Sequence, residues 1–580
     1  MNGMLILIVG LAILVVAYLT YGRWLAKQWG VDPSRKTPAH TQTDGVDYVP
    51  AKTPVLLGHH FSSIAGAGPI NGPIQAAVFG WVPVLLWVLI GGIFFGAVHD
   101  FGALFASVRN KGQSIGEVIA NSMGTKAKKL FIIFAYLTLI LVVAAFASIV
   151  ANTFMATFDD AGNVDLAASA ANASTAMISL LFIAVAVVYG FLVHRRNANL
   201  LVSTTIGIAA IIGCMAIGLN WHPLYFSNSV WMIIVGIYIA LASVTPVWIL
   251  LQPRDYLSSF LLYGMMAVAI IGIIGAGVTG NAHMDIPAVT GFTDTLAPTG
   301  TSLGYMFPAL FVTIACGAIS GFHSLVGSGT TAKQLDNERD ARPIAYGGML
   351  IECALAIISL CAVGFIWANY ASGETVTPTV VFATGISKMT STIPFLAGAE
   401  NVIYSLLILA VSAFCLTSLD TATRLARYMF QEFWLDKGET WKTVSGYKAV
   451  LANPYVATII TVVLGVALGL TGYANIWPLF GAANQLLAAL GLLAVAAWLG
   501  KIGKNNKMFF IPMAFMLIVT ITSLCFTLKT NVLGIMAGGE GMAWCVVRTI
   551  IAALLVVLAI ILAYDGIKTL SAQRKQTTAE

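Results

Sequence analysis

Long apolar runs limit this chain of 580 residues more strongly than any motif it carries. The runs are about 18 to 25 residues long, the length that a helix needs to cross the hydrocarbon core of a bilayer. Strands of a membrane barrel would be about 10 residues long and would alternate in polarity. Only 9% of the residues are charged, whereas a soluble domain has about a quarter. The sequence therefore predicts an all-α polytopic membrane protein whose solvent is the lipid bilayer.

Fifteen apolar segments are predicted to cross the membrane as helices, and we number these crossings in chain order. Their approximate bounds are 3–22, 59–78, 81–107, 129–153, 174–193, 199–219, 229–250, 257–280, 304–321, 345–370, 400–423, 454–471, 477–499, 508–527 and 547–565.

The Lys and Arg residues are divided unevenly between the loops that these crossings define. With the amino terminus outside, 27 of the 30 Lys and Arg residues lie on the cytoplasmic side. Because cytoplasmic loops carry the excess of Lys and Arg, we expect an external amino terminus and a cytoplasmic carboxyl terminus. The net charge of +6 follows this orientation and forms no concentrated basic patch, so nucleic acid is not an expected partner.

Crossing two cannot be a regular helix that faces lipid. It contains Gly66, Gly68, Pro69, Gly72 and Pro73, and each proline removes a backbone donor while each glycine weakens the helix. The freed backbone groups must be buried in protein or line a cavity. We therefore expect a discontinuous helix here.

Crossing seven contains a milder interruption at Pro246, although Gly and Pro are also commoner in membrane helices than in soluble ones. Two interrupted helices five crossings apart, entering from opposite sides, indicate an inverted five-helix repeat of the LeuT type. The predicted division of the chain is a peripheral helix and loop (1–58), a first repeat (59–219), a second repeat (229–424) and peripheral helices (425–580).

Several ordered strings along the chain carry a family resemblance. They are HHFSSIAGAGPI (59–70), HDF (99–101), LQPRDYL (251–257), ISGFHS (319–324), TSLDTATR (417–424) and WPLFG (477–481). In these strings the chain resembles the carbon starvation protein A family, part of the amino acid, polyamine and organocation transporter superfamily.

The resemblance implies uptake of pyruvate or small peptides across the bacterial inner membrane during carbon starvation, by proton symport. The motifs do not separate pyruvate from peptide. The alternatives are a sodium-coupled transporter of another small organic acid or amino acid, and a membrane sensor that does not transport. No zinc-peptidase His-Glu-x-x-His motif occurs, and an enzyme is not expected.

A carboxylate-binding site is predicted at the interrupted helix, because freed amides can bind an anion without a buried cation. The alternative is that nearby hydroxyl groups only satisfy the broken backbone. The candidate substrate-binding residues in crossing two and crossing seven are Ser62, Ser63, Gly66, Gly68, Asn71, Gly72, Ser243 and Thr245.

Proton coupling needs a group that titrates near neutral pH, and histidine fits this need first. His60, His99, Asp100 and His323 fall in the inner parts of crossings two, three and nine, and two and nine are neighbours in a LeuT-type core. Asp100 is the leading candidate, because an acidic residue within the membrane usually has a function. A single histidine near the membrane boundary is more often an interfacial residue.

One alternative to proton coupling is sodium held in an oxygen cage made by Ser320, Ser324 and carbonyls near Ile64. A metal held by the histidines is another, but adjacent histidines lack the i, i+4 ligand spacing.

Arg254 and Asp255 are predicted to form a gating contact with another cytoplasmic charge, or alternatively Asp255 caps the following helix. Asp420 and Arg424, one turn apart, are expected to pair. No cofactor or resident metal is expected, the coupling ion is H+ with Na+ as the alternative, and the oligomeric state is not predicted.

Overall fold

A computed structural model describes residues 2–159, 161–195, 199–436, 438–538 and 541–579. Within these ranges the secondary structure is helical and contains no β-strand longer than an isolated bridge. Eleven described helices are long and apolar enough to cross a membrane, and Asn228–Val244 and Pro454–Gly469 are shorter apolar helices. The all-α, multi-pass prediction is confirmed, while the count of fifteen crossings stays a prediction.

The first thirteen helices end before residue 279. They are α1 (Gly3–Leu19), α2 (Tyr21–Trp29), α3 (Pro38–Thr41), α4 (Thr53–Ala65), α5 (Gly68–Ala76), α6 (Trp81–Gly91), α7 (Ala97–Arg109), α8 (Ile115–Met123), α9 (Thr125–Phe154), α10 (Leu166–Arg195), α11 (Leu200–Asn220), α12 (Asn228–Val244) and α13 (Leu251–Val278).

Thirteen further helices follow a connection without regular structure. They are α14 (Met306–Thr313), α15 (Ala315–Ala318), α16 (Gly321–Val326), α17 (Ala332–Gln334), α18 (Gly347–Phe365), α19 (Trp367–Ala371), α20 (Pro378–Ser391), α21 (Glu400–Trp434), α22 (Tyr447–Leu451), α23 (Pro454–Gly469), α24 (Tyr473–Lys501), α25 (Phe510–Ala537) and α26 (Met542–Ala579).

Crossing two is interrupted as predicted, between α4 and α5. Gly66 ends α4 with φ of 41° and ψ of −158°, a conformation that residues with a Cβ rarely adopt. Pro69 then lies in the first turn of α5, where the missing N–H would have had no helical partner.

The interruption predicted in crossing seven was wrong. α12 runs from Asn228 to Val244 without a break, and residues 245–250 connect it to α13. Pro246 ends the helix rather than interrupting it, because proline disfavours helical geometry at the residue before it and supplies no N–H.

The second interruption lies in crossing nine. α15 ends at Ala318, Ile319 and Ser320 are extended, and α16 begins at Gly321. The two interrupted crossings are neighbours, since α5 packs on α15 and α4 packs on α16. They lie seven crossings apart in the chain, not five.

Helix contacts around the two interruptions follow one pattern that occurs twice. α13 packs along α4, and α24 packs along α16. α9 packs on α12 and α24, and α21 packs correspondingly on α23 and α13. The short helix α8 covers α9 and α24, whereas α20 covers α21 and α13. The α10–α11 hairpin, α1 and the α25–α26 pair pack around this core.

Candidate functional site

The glycines of crossing two bring its backbone close to neighbouring helices. A Cβ on Gly68 would lie 2.5 Å from Cys316 Cβ, and one on Gly72 would lie 2.6 Å from the carbonyl oxygen of Thr313. On Gly66 it would meet the Phe146 ring at 2.9 Å. Gly68 and Gly72 therefore let α5 pack against the α14–α15 segment, and Gly66 lets the break approach α9; neither role itself requires a ligand.

Ser62 and Ser63 join α4 to α13 and α21. The Ser62 hydroxyl donates to the Asp255 carbonyl at 3.0 Å, and the Ser63 hydroxyl lies 3.1 Å from that of Thr421. Ser418 donates to the Ser63 carbonyl at 2.9 Å, which gives a partner to a carbonyl in the last turn of α4. These contacts stabilise the end of α4, where crossing two is interrupted.

Ser243 and Thr245 are not brought to this interruption. The Ser243 hydroxyl lies 3.2 Å from that of Thr458 in α23, and the Thr245 hydroxyl donates to Leu241 of its own helix at 2.8 Å. Since crossing seven is not the second broken helix, their predicted position opposite crossing two was wrong.

Asn71 lines a cavity of about 760 Å³. The cavity lies between the carboxyl-terminal part of α9, the amino-terminal part of α21, the α10–α11 hairpin, and residues 377–380. Asparagine, serine and threonine supply most of its polar lining, and His222 is the one potentially charged side chain among the described lining residues. Of the predicted substrate-binding residues, Asn71 alone is among those that line it.

At the opposite end of the bundle, Asp47 precedes α4 and contacts α21, and we call these contacts the Asp47 closure. The Asp47 carboxylate accepts from the Tyr428 hydroxyl at 2.7 Å and lies 3.5 Å from Arg424 Nη1. Burial alone would raise the pKa of Asp47, but the charges of Lys333 and Arg424 outweigh burial and lower it. Along α21, Arg424 is about 22 Å from cavity residue Leu409, so the closure and the cavity lie at different depths.

Arg254 and Asp255 are buried and connect helices rather than cytoplasmic loops. Arg254 forms an ion pair with Asp420 of α21, and Asp420 also accepts from the Tyr238 hydroxyl at 2.6 Å. His59 Nδ1 lies 2.7 Å from Asp255 Oδ2.

Two of the sequence expectations for these charges were wrong. Asp255 is not a cap, since Leu250 is the N-cap residue of α13. Asp420 does not pair with Arg424, because Arg254 lies closer to it and Arg424 turns towards Asp47 and the Ala242 carbonyl.

Three of the predicted coupling residues form one buried cluster. Asp100 lies between two histidines, with its Oδ1 2.8 Å from His99 Nδ1 and its Oδ2 2.8 Å from His323 Nδ1. His60 is nearby, but its Nδ1 binds the Thr331 hydroxyl at 2.8 Å instead. The cluster joins α7 to α16, immediately after the interruption in crossing nine.

Comparison with known proteins shows the family of this chain. The model of the family described as carbon starvation protein CstA matches residues 2–373 and 367–523. The chain belongs to the CstA family. It is 32% identical to the peptide transporter CstA of Bacillus subtilis (strain 168), with 98% of this chain and 97% of that protein covered.

Two relatives from Escherichia coli (strain K12) are named as transporters of different substrates. The peptide transporter CstA is 34% identical, with 90% of this chain and 80% of that protein covered. The pyruvate/proton symporter BtsT is 31% identical, with 90% of this chain and 81% of that protein covered. This CstA-family chain is accordingly a transporter of the membrane and not an enzyme.

Sequence reasoning missed the second interruption, which helix packing stabilises in this CstA-family chain. Asn484 of α24 accepts from the Phe322 N–H at 2.9 Å and so satisfies the backbone freed after the second interruption. Gly317 and Gly321 were the available signal for that interruption. Cys316, His323 and Glu352 present ligand-type atoms within 4.8 Å of one another, and we assign no metal to them.

Proposed function

We propose that this chain takes up pyruvate or small peptides by proton symport across the bacterial inner membrane. Relatives named as a peptide transporter and as a pyruvate/proton symporter support both substrate classes. The observation that carries the proposal is the Asp100 carboxylate, bound by two buried histidines beside an interrupted helix. Intramembrane carboxylate and histidine groups are typical of proton relays.

We further propose a LeuT-type core whose repeats differ from the division at 59–219 and 229–424. The first repeat comprises α4–α5, α6–α7, α9, α12 and α13, and the second comprises α14–α16, α18, α21, α23 and α24. The twofold pattern of helix contacts supports this pairing. The α10–α11 hairpin is then an insertion between the third and fourth helices of the first repeat.

The inserted hairpin forms part of the wall of the cavity that we propose as the substrate entrance. In the proposed orientation, with the amino terminus outside, the 760 Å³ cavity opens to the exterior and Asn71 lies where it meets the first interrupted helix. The Asp47 contacts close the cytoplasmic end. Alternating access then requires these contacts to break as the cavity closes.

Sodium coupling has less support from the local contacts. The Ser320 hydroxyl is engaged with Asn484, whose Nδ2 lies 3.0 Å away, and the Ser324 hydroxyl donates to the Gly321 carbonyl at 2.7 Å. Both hydroxyls of the predicted oxygen cage are therefore already hydrogen-bonded within the protein.

Purified protein in proteoliposomes tests the proposal. We expect an inward proton gradient, and not a sodium gradient, to drive accumulation of labelled pyruvate or labelled dipeptide. Asp100→Asn keeps the side-chain shape but removes the titrating group, so it should lose gradient-driven accumulation and retain substrate exchange. Accumulation at the wild-type level in Asp100→Asn would eliminate Asp100 as the coupling group. No pH-driven uptake of either substrate by the wild type would refute proton symport.

A further inference from the structure

Glu352 of α18 is a fully buried acid whose environment differs from that of Asp100. Neither of its carboxyl oxygens has a hydrogen-bond partner among the described residues. His323 Nε2 lies 3.4 Å from Glu352 Oε2 and likewise has no hydrogen-bonded partner there. An ionised carboxylate without hydrogen bonds is strongly disfavoured in an apolar interior, so this environment favours the neutral acid.

His323 links this acid to Asp100. Its Nδ1 is 2.8 Å from Asp100 Oδ2, while its Nε2 faces Glu352. An imidazole with one carboxyl group on each nitrogen can accept a proton at one nitrogen and release one at the other. The other titratable groups near Glu352, His323 and Asp100 are His99, His60, Cys316 and Cys353.

The Glu352 end of this arrangement adjoins the interrupted backbone. The Cys316 sulfur lies within 4.8 Å of ligand-type atoms of Glu352 and His323. The same sulfur is 2.6 Å from the position that a Cβ on Gly68 would occupy, at the start of α5. The packing of α5 on α15 therefore continues through Cys316 to the Glu352 carboxyl group.

We propose that Glu352 carries the transported proton and passes it through His323 to Asp100. The Glu352 carboxyl group gives its proton to His323 Nε2, and His323 Nδ1 gives its proton to Asp100 Oδ2. One proton thus moves from Glu352 to Asp100, and the imidazole is left in its other neutral tautomer. The inference rests on the proposed proton symport and adds a second acid, with His323 as the residue that connects the two.

Proteoliposomes that contain Glu352→Gln test this inference, because glutamine keeps the side-chain length and cannot ionise. We expect accumulation of labelled pyruvate or dipeptide under an inward pH gradient to fall at least tenfold, with exchange at equal pH retained within about twofold. The matched control is Ser359→Ala, two turns along the same helix, whose hydroxyl bonds to its own helix and not to the cluster. It should accumulate substrate like the wild type.

The outcomes separate this inference from the proposed function. Wild-type uptake that follows the pH gradient, together with normal accumulation by Glu352→Gln, would overturn the role of Glu352 and leave proton symport standing. Absence of pH-driven uptake by the wild type would refute the symport itself. A stoichiometric transition metal in the purified wild type that is lost in Glu352→Gln would also overturn the proton role.

If the glutamine variant fails to fold, a measurement on the wild type can still overturn the proposed role of Glu352. We expect the infrared spectrum at pH 7 to show a carbonyl stretch from a protonated carboxyl group that resists rapid exchange into deuterium oxide. A spectrum without any protonated carboxyl band would overturn the proposal, because Glu352 would then be ionised before substrate arrives.

Discussion

Replacement of Arg254 by methionine should strongly destabilise the protein by leaving the buried Asp420 carboxylate without its cation. Both side chains are within 1% of complete burial, so neither ion is stabilised by bulk water. Removing one partner of a buried ion pair costs about 3–5 kcal/mol. The Tyr238 hydroxyl still donates to Asp420 at 2.6 Å, so we expect the lower half of this range.

The double variant Arg254→Met with Asp420→Leu should be much less destabilised than Arg254→Met. Two apolar side chains of similar volume remove both desolvated charges, and such replacements of buried ion pairs are often neutral or stabilising. We expect the double variant to lie within about 2 kcal/mol of the wild type, since the Tyr238 hydroxyl also loses its acceptor.

Unfolding in mixed detergent micelles, followed by tryptophan fluorescence, measures these free energies. Thr417→Ala is the control on α21, because the Thr417 hydroxyl bonds only within its own helix at 3.1 Å; it should change stability by at most about 1 kcal/mol. A loss of less than 1 kcal/mol in Arg254→Met would contradict the reasoning. A double variant less stable than Arg254→Met would contradict it as well.

Three further predictions follow from the closure and the helix break. Asp47→Asn should increase several-fold the thiol labelling of a cysteine placed at Gln334, which is buried next to Lys333 in α17. Because the pKa of Asp47 is lowered, the contribution of its carboxylate should hold above about pH 4 and fade as pH falls further. Gly68→Ala should impair transport in proteoliposomes, because the new methyl group would clash with the Cys316 side chain. Adding Cys316→Gly removes that side chain, so the double variant should recover part of the transport. A cysteine at Gly446 should resist impermeant thiol reagents applied to whole cells, whereas external labelling would refute the proposed orientation.

The sequence by itself was sufficient to predict the features that depend on residues close together in the chain. The bilayer requires every backbone group to be satisfied within the protein, so long apolar runs had to be helices. Gly66, Gly68 and Pro69 favoured a break in one of them, because glycine weakens a helix and proline is best tolerated in the first turn of a new one. The His99–Asp100 contact joins adjacent residues and was equally readable in the sequence.

Tertiary structure alone decided the second interruption and the partners of the buried charges. Crossing nine has no proline near Ile319, and its extended backbone is held by Asn484, which lies 162 residues beyond Phe322 in the chain. Arg254 bonds to Asp420 across 166 residues instead of leaving Asp420 to Arg424 one turn away. In an apolar interior a charge or a freed amide must bind whichever group the packed helices bring within reach, and sequence spacing does not reveal which group that is.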